Sequence, residues 1–162
     1  MNDTVKTDRM ILFIPSFVQS AGEVFQTMVF MPITQGQQAM KIKGEPRGYI
    51  SGTISITGED INGNVSLILD MPLATRIFRS MMGLDRNAPV NDQDINDAVG
   101  ELANMVAGGA KSKLQEQSVY FKIGLPTVVI GENHYIEPPK NVNTIVVPFT
   151  IQGGEFYLEL SC

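Results

Sequence analysis

The chain has no tryptophan, one cysteine and one histidine in 162 residues. Cys162 stands alone at the last position and cannot close an internal disulfide, and no Cys/His cluster exists to hold zinc. With His134 the only histidine, catalytic triads and His-based metal sites have little to draw on. His134 reads instead as a solvated loop residue in Gly131-Glu132-Asn133-His134. Basic residues are also scarce, 12 Lys+Arg against 17 Asp+Glu for a net charge of −5. That balance argues against nucleic acid, whose binders show a basic face to the phosphates. An acidic domain more readily meets a protein or a small molecule. No apolar run approaches the roughly 20 residues of a membrane span. Met10-Ile11-Leu12-Phe13-Ile14 is short, stops at Pro15 and lacks a small-residue cleavage site, so no secretory signal is read there. A cytoplasmic protein is expected.

What is present suffices for a packed core. Hydrophobic residues make up 43% and charged residues 18%, too apolar for a disordered chain. The length suits one domain over 1–162, with the polar stretch 1–9 as a loose tail. Phe17, Ala21, Val24, Phe25, Met28 and Val29 recur at helical spacing from Pro15 or Ser16, and Pro32 stops them. Gln38–Lys43 is a weak strand pattern. Ile50, Gly52, Ile54 and Ile56 alternate with small polar residues as in a half-buried strand. Asn62-Gly63-Asn64 signals the turn to a second strand over Val65–Leu69. Pro72 then opens a helix whose stripe is Leu73, Ile77, Phe78, Met81 and Met82, ending at Gly83. A long helix is predicted over 92–117, and four strands over 119–123, 127–130, 144–150 and 156–160. The sum is an α+β fold, an antiparallel or mixed sheet covered by about three helices.

The long helix carries the functional signal. At about 100° per residue, Asp97, Glu101 and Asn104 fall within roughly 60° of one another, opposite Ile95, Val99, Leu102, Met105, Val106 and Gly109. Gly100, Ala103, Ala107 and Gly108 share the outward half, where longer polar residues are usual. Each glycine there costs roughly 0.8–1.0 kcal/mol relative to alanine. Such a face admits another backbone closely. The neighbour is either another helix of this chain or a partner protein, and periodicity does not choose between them.

Asp97-x3-Glu101-x2-Asn104, then 21 residues, then Pro126, is similar to the signature of the CheC/CheX/FliY chemotaxis phosphatases. The wider stretch Ala98-Val-Gly-Glu-Leu-Ala-Asn-Met-Val-Ala-Gly108 resembles the core helix of CheX, as do Ser80-Met-Met-Gly83 before it and Pro126-Thr-Val-Val129 after it. The resemblance implies hydrolysis of the phosphoryl-aspartate on a CheY-type response regulator, which is then the partner expected against Gly100, Ala103, Ala107 and Gly108. By the family pattern Asn104 orients the attacking water, and Glu101 pairs with the regulator's active-site lysine. Asp97 stands where the family allows Ser or Asp, which implies a hydrogen-bonding role near Glu101; an acidic residue early in a helix explains it equally. Pro126 shapes a supporting turn. No cofactor is expected on this chain, the regulator holding its own Mg²⁺. Pairing into a homodimer through the sheets is likewise implied by resemblance alone.

Residue chemistry agrees with that implication. An acyl phosphate is already reactive, so holding a water in line supplies much of the acceleration. A neutral amide donates and accepts, and can sit beside a cluster of anions. Ala21-Gly22-Glu23-Val24-Phe25-Gln26 echoes Val99–Asn104, but with Gln for Asn and no proline 22 residues on, so one site per chain is expected. Two other classes remain: a non-catalytic docking module related to flagellar switch proteins, and a small-molecule or nucleotide binder. The second has no phosphate loop, since Gly108-Gly109 lies within a helix and Gly153-Gly154 reads as a hairpin turn.

Overall fold

The computed structural model describes residues 3–162, with side chains from Arg9 onward. Helix α1 runs Asp3–Val24, a π turn covers Phe25–Val29, and helices α2 and α3 span Met71–Met81 and Asp92–Glu116. The strands are β1 (Thr34–Gln35), β2 (Ala39–Met40), β3 (Gly48–Gly58), β4 (Asn62–Leu69), β5 (Phe121–Ile123), β6 (Thr127–His134), β7 (Thr144–Ile151) and β8 (Gly154–Ser161). They form one sheet in the order β1-β7-β8-β4-β3-β5, with β2 also on β7 and β6 also on β3. Each pairing is antiparallel, which settles the choice between antiparallel and mixed.

One face of the sheet builds the core. Ile50, Ile54 and Ile56 of β3, Val65, Leu67 and Leu69 of β4, and Phe156, Leu158 and Leu160 of β8 alternate onto it, all buried. Helix α3 lies over β3 and β4, with α1 against α3. Phe25 stacks on Phe156 at 4.8 Å between ring centroids, and Phe156 on Phe149 at 5.1 Å. The other face buries Ile68 together with polar side chains. Thr144 and Ser161 share a hydroxyl hydrogen bond of 2.7 Å, and Thr53 and Ser66 one of 2.8 Å. Lys41 and Glu159 pair there with side chains only 5% and 2% exposed. Burial pushes the Glu159 carboxyl above its ordinary range, and the hydrogen bond from Lys41 pulls the other way.

Four local expectations are corrected. The first helix begins at Asp3, not near Pro15, so a loose tail over 1–9 does not hold for Asp3–Arg9; Met1 and Asn2 lie outside the described residues. Met10, Phe13 and Ile14 extend the buried stripe upstream of Pro15, and that burial offsets the roughly 3 kcal/mol an internal proline costs. The β3–β4 turn falls before Asn62, since Asn62–Asn64 already belong to β4. Gly63 serves close approach instead, because a β-carbon there would strike the Ser161 carbonyl oxygen. Met82 is 60% exposed, beyond the last turn of α2, where Gly83 at φ +63° redirects the chain. His134 ends β6 half-buried, within 2.7 Å of the Gly131 carbonyl at Nδ1 and of the Ser51 hydroxyl at Nε2. Nδ1–H thus donates to Gly131, and Nε2 accepts from Ser51.

Candidate functional site

Helix α3 is cut cleanly at its start. The Asn91 side chain accepts from the Asp94 N–H at 2.8 Å, and Asp92 and Asp94 occupy the positively polarised first turn. Downstream, Ile95, Val99, Leu102, Val106, Ala110 and Leu114 are buried and hold the helix down. Asp97 and Glu101 stand exposed on the opposite side, with Asn104 half-exposed. Asp97 takes its hydrogen bond from Gln93 Nε2, at 2.8 Å one turn back, and not from Glu101. Among the described residues Glu101 and Asn104 have no side-chain hydrogen bond or ion pair. A carboxylate and an amide one turn apart are therefore free to engage an incoming surface.

Two close approaches set the height and tilt of this helix. A β-carbon on Gly52 would lie 2.8 Å from the Val99 carbonyl oxygen and 3.1 Å from Ala103 Cβ, so α3 rests directly on the backbone of β3. A β-carbon on Gly100 would lie 3.1 Å from Val128 Cγ2 and 3.5 Å from Pro126 Cβ. The chain that leaves α3 thus returns through β5, and Pro126 leads into β6 beside Gly100, next to Glu101. Gly52→Val should cost about 1–3 kcal/mol by overpacking this contact, a fall in Tm of roughly 2–12 °C. An unchanged melting curve would mean that α3 is not seated on Gly52.

The four small residues do not share one role. Counting about 100° per residue from Asp97, Gly108 lies about 20° away, within the Asp97–Glu101–Asn104 stripe. Gly100, Ala107 and Ala103 lie about 60°, 80° and 120° to one side. That flank is covered by this chain: Val128 and Pro126 cover Gly100, Ala103 abuts Gly52, and Ala107 is fully buried. The expectation that all four meet a partner is therefore corrected for Gly100, Ala103 and Ala107. Gly108 has nothing within 4 Å of where its β-carbon would be. Gly109, expected to face the sheet, meets Ser20 of α1, whose hydroxyl donates to the Val106 carbonyl at 2.7 Å.

The echo in α1 is wired differently. Glu23 receives a hydrogen bond from Lys113 Nζ at 2.8 Å and one from Gln19 at 3.3 Å. The Lys113 ammonium holds the Glu23 carboxyl below its usual range. Gln26 falls in the π turn, off the regular helix. So the carboxylate corresponding to Glu101 already has its cation. Among the described residues no three His, Cys, Asp or Glu side chains gather as a metal site, and no helix is long and apolar enough to cross a membrane.

The family model described as chemotaxis phosphatase CheX matches residues 50–150. No curated protein matches the chain. Among solved structures, a chemotaxis protein CheX from Desulfovibrio desulfuricans is 31% identical over 93% of this chain and 97% of its own, at a TM-score of 0.84. The CheX of Vibrio vulnificus is 33% identical over 91% and 96%, at a TM-score of 0.82. A CheX–CheY–BeF3–Mg²⁺ complex from Borrelia burgdorferi is 20% identical over 92% and 96%, at a TM-score of 0.77, a likeness of fold.

Proposed function

The chain belongs to the CheX family of chemotaxis phosphatases, and from that premise we propose that it removes the phosphoryl group from the aspartate of a CheY-type response regulator. The observation that carries the reading is the pair Glu101, exposed, and Asn104, half-exposed, on one helix face with no side-chain partner among the described residues, beside a proline seated on Gly100. A CheX of Borrelia burgdorferi forms a complex with CheY and Mg²⁺, which supports a partner of the same kind here.

In this mechanism α3 lies along the regulator's active site. Glu101 meets the regulator's lysine and fixes the register. Asn104, one turn on, accepts a hydrogen bond from a water and holds it in line with phosphorus. The water oxygen bonds to phosphorus as the phosphorus–oxygen bond to the aspartyl group breaks. The aspartate carboxylate and inorganic phosphate are the products, and the water's proton leaves with phosphate or solvent. Mg²⁺ belongs to the regulator's own site. A neutral amide suits this position because a carboxylate would be repelled by the phosphoryl oxygens. Asp97, tied to Gln93, borders the docking face. The reaction ends a chemotaxis or related two-component signal in the cytoplasm, with one site per chain. A homodimer fits the same reading. Among the described residues strand β6 pairs with β3 alone, which leaves its other edge open there, and Ile130 and Leu125 nearby are 48% and 89% exposed.

The test follows phosphoryl-aspartate decay on a cognate CheY-type regulator with Mg²⁺, with and without the protein. Faster decay is expected; binding without acceleration would make the chain a docking module. Two variants probe the face. Glu101→Ala should weaken engagement with the regulator by about tenfold, as removal of a charged hydrogen bond does; unchanged affinity and rate would exclude its pairing role. Gly108→Leu should block docking while leaving the fold intact, since a side chain there meets only open space. If instead the free protein loses several kcal/mol, Gly108 packs within its own chain.

A further inference from the structure

A second surface lies where α1 ends. Its last helical turn widens to a π turn at Phe25–Val29, a feature frequent at functional sites. The Ser80 hydroxyl of α2 donates to the Val29 carbonyl at 2.5 Å and pins this turn. Phe30 then adopts φ 59° and ψ 29°, the left-handed region that a β-carbon disfavours and that is an outlier for a bulky residue. Phe30 is 66% exposed, so burial does not compensate the strain. Strained backbone that packing does not explain points to use.

Phe30 borders an open groove of about 460 Å³, lined also by Met31, Arg76, Arg79, Leu84 and Arg86. Three of the chain's five arginines meet there, and no carboxylate lines it, in a chain whose acids outnumber its bases 17 to 12. Arg76 donates one N–H to the Gln152 carbonyl and Arg79 one to the Ala88 carbonyl, each at 2.9 Å. Those bonds fix the two guanidinium groups and leave their other N–H donors available. Arg86 has no side-chain partner among the described residues. A solvated basic face would mix in carboxylates and need no exposed ring.

We propose that this groove docks an acidic peptide segment of a partner protein, its carboxylates on Arg76, Arg79 and Arg86 and an apolar side chain on Phe30 and Leu84. Arginine forks match carboxylates bidentately. The groove is open to solvent and no glycine lines it as a phosphate cradle would require, which favours a polypeptide over a nucleotide. None of its lining residues belongs to α3, so docking here is independent of the phosphatase reading.

The experiment titrates a fluorescein-labelled peptide, Asp-Glu-Phe-Asp-Glu-Leu-Asp-Glu, into the whole protein at low ionic strength and reads anisotropy. Saturable binding is expected, weakening as salt is added. Arg86→Glu, Phe30→Gly and an Asn/Gln version of the peptide should each bind about tenfold more weakly. Phe30→Gly should keep or raise Tm, because glycine takes left-handed backbone freely; its loss of binding is then not unfolding. No saturable binding, or equal binding by the variants or by the amide peptide, overturns the proposal. So does Arg86-dependent binding of ATP without binding of the peptide. Loss of regulator dephosphorylation in Arg86→Glu would assign the groove to the phosphatase docking face and overturn its independence.

Discussion

Asn104→Ala should slow the catalysed loss of phosphate by about 10²-fold or more while regulator binding and Tm stay near their original values. Asn104 is half-exposed and has no side-chain partner among the described residues, so truncation leaves nothing buried and unsatisfied. Alanine also favours the helix more than asparagine does. What disappears is the group that holds water in line. Asn104→Gln should recover little, since one more methylene displaces the amide by about an ångström, enough for a 10²-fold loss. Asn104→Asp should be as poor as alanine and should also weaken binding, because it adds a negative charge facing the phosphoryl oxygens. Single-turnover decay at saturating protein, beside affinity for a beryllofluoride-loaded regulator, separates these outcomes. Activity within twofold of the original in Asn104→Ala would remove the water-orienting role.

Lys41→Met should be strongly damaging to stability. Lys41 and Glu159 are paired with almost no exposure on the sheet face opposite the core, and removing the ammonium strands a buried carboxylate. The expected loss is about 3–5 kcal/mol, a fall in Tm of roughly 6–20 °C. Burial already raises the Glu159 carboxyl in the folded state, and Lys41 opposes that rise. Without Lys41 the folded state favours the protonated carboxyl more strongly and binds a proton that the unfolded chain has released. Stability of the variant is then retained below the ordinary carboxylate value of 4.5 and lost as pH rises through the raised one. The double change Lys41→Met with Glu159→Leu should recover most of the loss. Equal stability of Lys41→Met and the original at pH 7 would show that the pair is open to water.

The parts of this molecule that repeat locally were legible in its sequence. Helix α3 announces itself by Asn91 at its cap and a 3.6-residue apolar period, and its predicted span misses by one residue at the C-terminal end. The stripe Asp97, Glu101 and Asn104 follows from the same count. What stayed hidden depends on pairings distant in sequence. Lys41 and Glu159 are separated by 118 residues and carry no local signature. Strand β1 is two residues long, too short to show alternation, and the equally short β2 shows only as the weak pattern over Gln38–Lys43. Gly52 did leave a trace, as a glycine on the apolar side of the alternation Ile50, Gly52, Ile54, where close backbone approach is a standing reason. The split of Gly108 from Gly100, Ala103 and Ala107 was available from helical angles alone. Phe30 was not, since left-handed backbone at a phenylalanine follows from no propensity.

Strand β3 has a kinetic consequence. One edge pairs with β4 across a short hairpin, whereas the other waits for β5 and β6, and Ile50 meets Ile130, 130 − 50 = 80 positions away. Loops of that length are slow to close, because their chain entropy is lost before the contacts reward it. Val128 and Pro126 arrive against Gly100 only when that edge zips. The helix that carries Glu101 and Asn104 can therefore form early and still lack its lateral brace. Competence as a catalyst should be the last property the folding chain acquires, lagging behind helical signal in a refolding experiment.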